Sequence, residues 1–205
     1  MIAVVDYKMG NIHSLLNALA YLGCAAKVTR DPEKLLAADK IILPGVGAFD
    51  AAMRNLNEFA LVDVLNEAAL KQRKPILGIC IGMQIMAETG EENGRTVGLG
   101  WFAGAVRPIA PLMPGTRVPH VGFNDVSFVP NCCGPFAVFK EPTDFYFVHG
   151  YHMECANPAD AVGTVDYGGR ELTAAVARDN IAGVQFHPEK SQSNGLAVLN
   201  AFLQA

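Results

Sequence analysis

Pro75-Ile76-Leu77-Gly78-Ile79-Cys80-Ile81-Gly82-Met83-Gln84 is the stretch on which the fold turns. Its first half is a short apolar run bounded by proline, as expected of a strand covered on both faces. Its second half sets a cysteine between Gly78 and Gly82, where the strand gives way to a helix expected over Gly82 to Thr89. A turn that abrupt needs flanking positions nearly free of side chain. G-x-C-x-G at a strand-to-helix junction is the nucleophile-elbow pattern with Cys in the place of Ser. The plainer alternative is a chance pentapeptide in a chain with 20 glycines, and the strand–helix context weighs against it.

Outward from the elbow, strand and helix signals alternate. Ile2 to Val5 is another buried-strand run, and Ile12, Leu15, Leu16, Leu19 and Leu22 recur at helical spacing until Gly23. Lys27-Val28-Thr29 is a short strand, and Asp31-Pro32 reads as an N-cap and first helical position opening a helix through Ala38. Ile41-Ile42-Leu43 is a third strand, stopped by Pro44-Gly45. Asp50 to Gln72 reads as one long or two shorter amphipathic helices, with Leu61, Val64, Leu65 and Leu70 on the buried stripe. After Gly98 glycine and proline recur, and short β-rich runs cover 102–106, 123–129, 144–149, 161–166, 172–177 and 181–186. Asp179-Asn180 is a hairpin turn between two of them, and a helix spans Gly195 to Gln204. The expected fold is α/β: a single domain over residues 1–205, with a mainly parallel (mixed) twisted sheet, helices on both faces and an antiparallel β-rich C-terminal part.

Composition sets the outer limits. A chain of 205 residues, 51% hydrophobic and 18% charged, is long enough for one core that buries about 70% of its unfolded surface. Sixteen basic against twenty acidic residues leave a net charge of −4, which argues against binding nucleic acid or an anionic membrane. No apolar run approaches the roughly 18–20 residues of a bilayer span. The stretch Met1 to Asp6 has no basic leader, so no signal peptide and a cytoplasmic location are expected. The five cysteines (Cys24, Cys80, Cys132, Cys133 and Cys155) are odd in number and lack zinc-type spacing, which predicts free thiols.

A thiol nucleophile needs a base, and the base needs a third group to orient it. In Gln185-Phe186-His187-Pro188-Glu189, Pro188 biases His187 toward an extended backbone. Residues two apart in an extended chain share a face, so Glu189 lies beside the imidazole. A surface His-Glu pair is the commoner meaning of such a sequence. Here a strand expected from Gly183 to Phe186 delivers His187 to the sheet edge where Cys80 emerges. A second glycine loop, Pro44-Gly45-Val46-Gly47-Ala48-Phe49, opens on that edge. Asp50 stands where a dinucleotide fingerprint needs its third glycine, so the loop reads as a source of backbone N–H donors, or simply as a tight turn.

Together these features resemble the triad (class I) glutamine amidotransferases, in which Cys, His and Glu follow in that chain order. More closely, the chain is similar over nearly its whole length to the family of glutaminase subunits of imidazole glycerol phosphate synthases of histidine biosynthesis. The similarity is carried by Asp6-Tyr7, Gly10-Asn11-Ile12, the Pro44 to Phe49 loop, Gly78 to Gln84, Val118-Pro119-His120, Phe145 to His149 and Gly183 to Gln192. Lys8, Phe123 and Gly150 depart from the family pattern, which has glycine, tryptophan and a small hydroxyl residue there. The resemblance implies hydrolysis of L-glutamine to glutamate and ammonia through a thioester on Cys80. His187 acts as acid and base, Glu189 orients it, and the Ile81 N–H with Val46 and Gly47 holds the oxyanion. It further implies Gln84, His149, Gly150 and Tyr151 as the lining of the glutamine pocket. The implied partner is a (β/α)8-barrel cyclase, forming a heterodimer through Asn11, Pro119, Phe123 and Lys190. No cofactor is implied, since free ammonia would pass to the partner through a channel.

Other classes compete. A stand-alone cysteine hydrolase would use the same elbow, and a paralogous glutaminase would feed a different synthase. A metal site would recruit His120, His149, His152 and the Cys132-Cys133 pair. His149 and His152, three apart in one expected strand, face opposite ways, and adjacent cysteines rarely share one tetrahedral ion, so no metal is expected.

Overall fold

Alternation within the apolar runs sets the layers. The computed structural model describes residues 1–10, 12–130, 132 and 134–205. Strands β1 (Ile2–Val5), β2 (Ala26–Thr29), β3 (Lys40–Leu43) and β4 (Ile76–Ile79) run parallel. In β1, Ala3 and Val5 enter one core while Ile2 and Val4 enter another. Ile41 and Leu43 oppose Ile42 in β3, and Ile76 opposes Leu77 and Ile79 in β4. Strands with no polar face must be covered on both sides.

The cover comes from helices. Helix α1 (Ile12–Tyr21) buries Leu15 and Leu19 on one side. Helices α2 (Pro32–Ala37), α3 (Phe49–Glu58) and α4 (Leu61–Asn66) bury Leu35, Met53, Leu56, Leu61 and Leu65 on the other. Asp31 caps α2, its carboxylate accepting the Glu33 N–H at 3.1 Å, with Pro32 at the first turn as expected. A one-turn helix, α5 (Ile81–Gln84), follows β4, and α6 (Gln192–Gln204) returns to the side of α1 with Val198, Leu199 and Phe202 buried.

The remaining strands are β5 (Ala87–Gly90), β6 (Thr96–Val97), β7 (Phe102–Pro108), β8 (His120–Phe128), β9 (Thr143–His149), β10 (Tyr151–Cys155), β11 (Ala161–Tyr167), β12 (Arg170–Arg178) and β13 (Ile181–Val184). Among the described residues the main sheet has nine strands in the order β2-β1-β3-β4-β13-β12-β11-β8-β9. β13 pairs parallel with β4, setting Val184 opposite Ile79, while β12, β11, β8 and β9 are antiparallel. The expected mixed sheet with an antiparallel C-terminal part is therefore present. A second sheet, β10-β7-β5-β6, was outside the sequence reading.

Four expectations change. The helix expected over Gly82 to Thr89 stops at Gln84, because the carbonyls of Ile85, Met86, Ala87 and Glu88 accept from Leu99, Phe102, Gly100 and Gly98 rather than from a following turn. Of the two forms expected for 50–72, the two-helix one is present, divided at Ala60 (φ 53°), but α4 continues into a π-helical turn over Glu67–Lys71. The wider turn rotates Ala68 and Ala69 inward and leaves Leu70 exposed instead of on the buried stripe. The strand expected to reach Phe186 ends at Val184. His149 and His152 sit on different strands, β9 and β10, because Gly150 carries the chain from one sheet to the other.

The elbow is wedged against its neighbours. A Cβ on Gly82 would lie 2.0 Å from the Leu43 carbonyl oxygen, and one on Gly78 2.6 Å from the Gly82 oxygen. Backbone on both sides of such a contact cannot rotate away. Gly82→Ala should therefore cost about 3 kcal/mol, at the upper end for overpacking, read as a lower urea midpoint. Gly150→Ser, whose Cβ would meet Pro119 and Val118 only at 3.9 Å, should shift stability by no more than about 0.5 kcal/mol.

Candidate active site

The end of β4 lifts Cys80 into the site. Its N–H donates to the Val184 carbonyl on β13 at 2.7 Å, and its backbone then turns to φ 53°, ψ −108°. A non-glycine residue at positive φ is strained, and such strain clusters where a side chain must be presented in one direction. Cys80 is buried but lines a cleft of about 270 Å³ with Val46, Gly47, Gln84, Glu92, Pro119, Val148, His149, Gly150 and Tyr151. Every residue expected around the glutamine side chain except Ile81 lies on this cleft. Ile81 follows the nucleophile directly, and its N–H makes no hydrogen bond among the described residues. Because α5 is a single turn, its dipole gives Cys80 little support, and a charge partner has more to do.

That partner is His187. The chain leaves β13 through Gln185 and Phe186, and the His187 N–H donates to the Tyr146 carbonyl on β9 at 2.9 Å. The Ser191 hydroxyl donates to the His187 carbonyl at 2.7 Å and accepts the Tyr146 N–H at 2.9 Å, tying the loop to the sheet. Nδ1 of His187 meets the Glu189 carboxylate at 2.8 Å, with both side chains buried. Nε2, the ring nitrogen not bonded to Glu189, is buried and meets no oxygen or nitrogen partner among the described residues. Burial alone would lower the His187 pKa. Hydrogen bonding to Cys80 and Glu189, with the charges of both groups, outweighs it and raises the pKa to about 9. This lies above the unfolded value of about 6.5. The ring's contribution to stability is therefore complete below about pH 6.5 and is lost as the pH rises through 9.

The loop after β3 closes over the elbow. A Cβ on Gly45 would lie 1.8 Å from the Ile81 Cγ2 atom, so loop and elbow are in direct contact. The buried Tyr7 hydroxyl donates to the Pro44 carbonyl at 2.5 Å. Burial first, then the charge of Cys80, holds its phenol well above the ordinary range, so it remains a donor. Lys8, in place of the family glycine, takes φ 59°, the left-handed conformation that explains glycine there. Gly47 at φ 128° makes a second such turn beside Met9.

On the far wall, the Gln84 amide donates to the Tyr151 carbonyl and to Gln185 Oε1, both at 2.9 Å. His149 Nδ1 bonds the same carbonyl at 2.8 Å, and its Nε2 lies 3.1 Å from His120 Nδ1. Burial lowers both imidazoles, His149 to about 3 and His120 to about 4, so the pair stays neutral. Glu92, which the sequence reading passed over, accepts the Phe49 N–H at 2.9 Å and is the carboxylate on the cleft. It lies in Glu91-Glu92-Asn93-Gly94, whose composition signals only a turn.

Of the expected partner-facing residues, Pro119, Phe123 and Lys190 are exposed, and Pro119 lines the cleft. The Phe123 ring packs edge-on to Tyr146 at 5.5 Å, and Lys190 Nζ lies 5.7 Å from the centre of the same ring. Asn11 and Cys133 lie outside the described residues. Among those described, no group of three or more His, Cys, Asp or Glu is arranged to hold a metal ion. A larger cavity of about 480 Å³, lined by Glu88, Glu91, Arg95, Arg107, Glu154 and Cys155 among others, lies on the second sheet. Burial raises the Cys155 thiol to about 11, so that cavity holds no ready nucleophile.

Comparison with known proteins follows the geometry. The sequence model of the glutamine amidotransferase class-I family matches residues 3–205. Imidazole glycerol phosphate synthase subunit HisH of Rhodospirillum rubrum is 44% identical, covering 99% of this chain and 98% of the relative. Subunit HisH 2 of Methanococcus maripaludis is 42% identical, covering 100% and 99%. A crystal structure of a glutamine amidotransferase has a TM-score of 0.76 at 19% identity over 99% of this chain and 97% of that one. PurLQS from Thermotoga maritima has 0.75 at 22% identity, again over 99% and 97%. At those identities the likeness to solved structures concerns the fold.

The electrostatics of the His187 ring are open to direct measurement. Its Cε1–H resonance should titrate near pH 9. Because both neighbours raise the value, Glu189→Gln and Cys80→Ala should each move the midpoint to lower pH.

Proposed function

The chain belongs to the glutamine amidotransferase class-I family, and we propose that it is the glutaminase subunit of an imidazole glycerol phosphate synthase, with Cys80, His187 and Glu189 as its catalytic groups. The relatives at 42–44% identity, matched end to end, bear that subunit name. The observation that carries the residue roles is the convergence of the elbow cysteine, the Val46-Gly47 loop, Gln84 and the His149 to Tyr151 turn on one cleft beside a buried His–Glu pair.

The chemistry follows from that arrangement. The Cys80 sulfur attacks the side-chain amide carbon of glutamine, and the Ile81 N–H with the Val46-Gly47 loop receives the oxyanion. The carbon–nitrogen bond breaks as His187 hands its proton to the departing ammonia, leaving a thioester. Water then gives a proton back to His187 and attacks the thioester; the carbon–sulfur bond breaks, and glutamate leaves. Glu189 keeps the imidazole oriented through both steps. The Glu92 carboxylate complements the α-ammonium group of the substrate.

Ammonia released into water would be protonated and lost as a nucleophile. We therefore assign a partner, a (β/α)8-barrel cyclase that takes ammonia directly and forms imidazole glycerol phosphate and AICAR. It would dock in a heterodimer over Pro119, Phe123 and Lys190, to which the family resemblance adds Asn11. No helix of the described residues is long and apolar enough to cross a membrane, and the cytoplasm is the proposed location. The Gly150 departure leaves room for a small side chain rather than closing the pocket.

Cys80→Ala should abolish glutamate release while preserving the circular dichroism spectrum, and glutaminase activity surviving in that variant would refute the assignment. Adding the cyclase with its ligand should raise glutamine turnover in the unaltered protein, whereas a stand-alone hydrolase would ignore it and cleave esters or peptides. Glu92→Gln should raise KM for glutamine about tenfold or more, the loss of one charge-assisted hydrogen bond, with a smaller change in kcat.

A further inference from the structure

Behind the nucleophile lies an amide that the scheme above does not use. Gln185 is fully buried between the end of β13 and the His187 loop, and its Nε2 lies 3.6 Å from Cys80 Sγ. Amide oxygen and nitrogen can be exchanged by a flip, so the direction of this contact must be argued from its neighbours. The Tyr151 carbonyl can only accept, so the Gln84 atom at 2.9 Å from it is the NH2 group. The same Gln84 nitrogen lies 2.9 Å from the Gln185 amide, and its second hydrogen requires an acceptor there, which is Gln185 Oε1. With Oε1 committed to Gln84, the Gln185 NH2 group has one direction left, toward the sulfur.

The anchor of this chain is itself fixed. His149 Nδ1 also bonds the Tyr151 carbonyl, and the neighbouring Gly150 carbonyl accepts the Ile109 N–H at 2.9 Å. Neither Gln84 nor Gln185 has solvent to turn toward, since both are buried. We propose that Gln185 is a further catalytic residue, an N–H donor to the Cys80 sulfur whose orientation is set through Gln84 by the Tyr151 carbonyl. A donor aimed at sulfur favours thiolate over thiol, because a thiolate is much the better acceptor.

Other ionisable groups face the same sulfur or its cleft. They are His187 from the loop after β13, with Glu189 behind it, Tyr7 from the loop after β1, and His149 and Glu92 across the cleft.

The inference rests on Cys80 being the reactive thiol, but its test does not need glutaminase activity. Iodoacetamide alkylation of Cys80, followed by peptide mass spectrometry across pH, reads thiolate formation alone. In Gln185→Met, of similar length without a donor, the midpoint of that profile should move up by about one pH unit. In Gln185→Glu, which sets a carboxylate against the sulfur, it should move further in the same direction. A midpoint unchanged in the folded variants, or lowered in Gln185→Glu, overturns the proposal. The unaltered protein gives a second reading that needs no substitution at the buried site. The 1H–15N resonances of the Gln185 side-chain amide should shift with the midpoint of Cys80 alkylation, and that shift should vanish in Cys80→Ala. An amide resonance indifferent to thiolate formation overturns the proposal equally. If alkylation and amide shift behave as described while glutamine is not hydrolysed, the donor stands and the functional assignment falls.

Discussion

Gly82 approaches the Leu43 carbonyl so closely that a methyl group there would lie 2.0 Å from the oxygen. That single approach fixes where the chain can turn after β4. It brings α5 directly over the end of β3, and it sets the nucleophile between the loop after β3 and the strand β13. From the other side, the Cys80 N–H is held by Val184. With backbone clamped on both flanks, the strained conformation of Cys80 persists because no relaxed alternative fits the space.

The charges follow from this placement. Parallel pairing of β13 with β4 ends both strands at one level, so the residues that leave β13 pass behind the sulfur in order: Gln185, Phe186, His187. Phe186 packs into the core against Phe145 at 4.0 Å, which fixes the alternation and sends the polar residues toward the site. The imidazole would lose its proton to burial if it stood alone; two acidic neighbours keep it. Across the cleft the balance runs the other way. His149 and His120 have only each other and a carbonyl, and burial leaves them neutral. One site thus holds a cationic and a neutral imidazole, distinguished by what each can bond.

Much of this was readable in the sequence because the decisive spacings are short. Gly78 and Gly82 flank Cys80 within five residues, and His187 and Glu189 are two apart, so local geometry identifies both groups. The central parallel strands β1, β3 and β4 were equally plain, since their apolar runs are buried on both faces. What escaped detection depends on contacts between distant parts of the chain. The helix after Gln84 stops because residues 98–102 occupy the carbonyls it would need, and nothing in Ile85 to Glu88 announces that. Leu70 fits a helical stripe until a π turn shifts the count. Glu92 reads as part of a polar turn, and only hydrogen bonds to Phe49 and Asp50 at the start of α3 tie that turn to the cleft. The interlocked amides of Gln84 and Gln185 are a hundred residues apart in sequence and touch only in the fold.

Gly150 is the one residue between β9 of the main sheet and β10 of the smaller one. The proposed catalytic groups, Cys80, His187 and Glu189, all follow strands of the main sheet, while Glu92 hangs from a turn of the smaller sheet. Surface turns tolerate substitution and changes of length far better than buried parallel strands do. The architecture is therefore modular in an evolutionary sense. A change in the turn that carries Glu92 can alter how the amino-acid portion of the substrate is held without disturbing the backbone locked around Cys80 by Gly78 and Gly82.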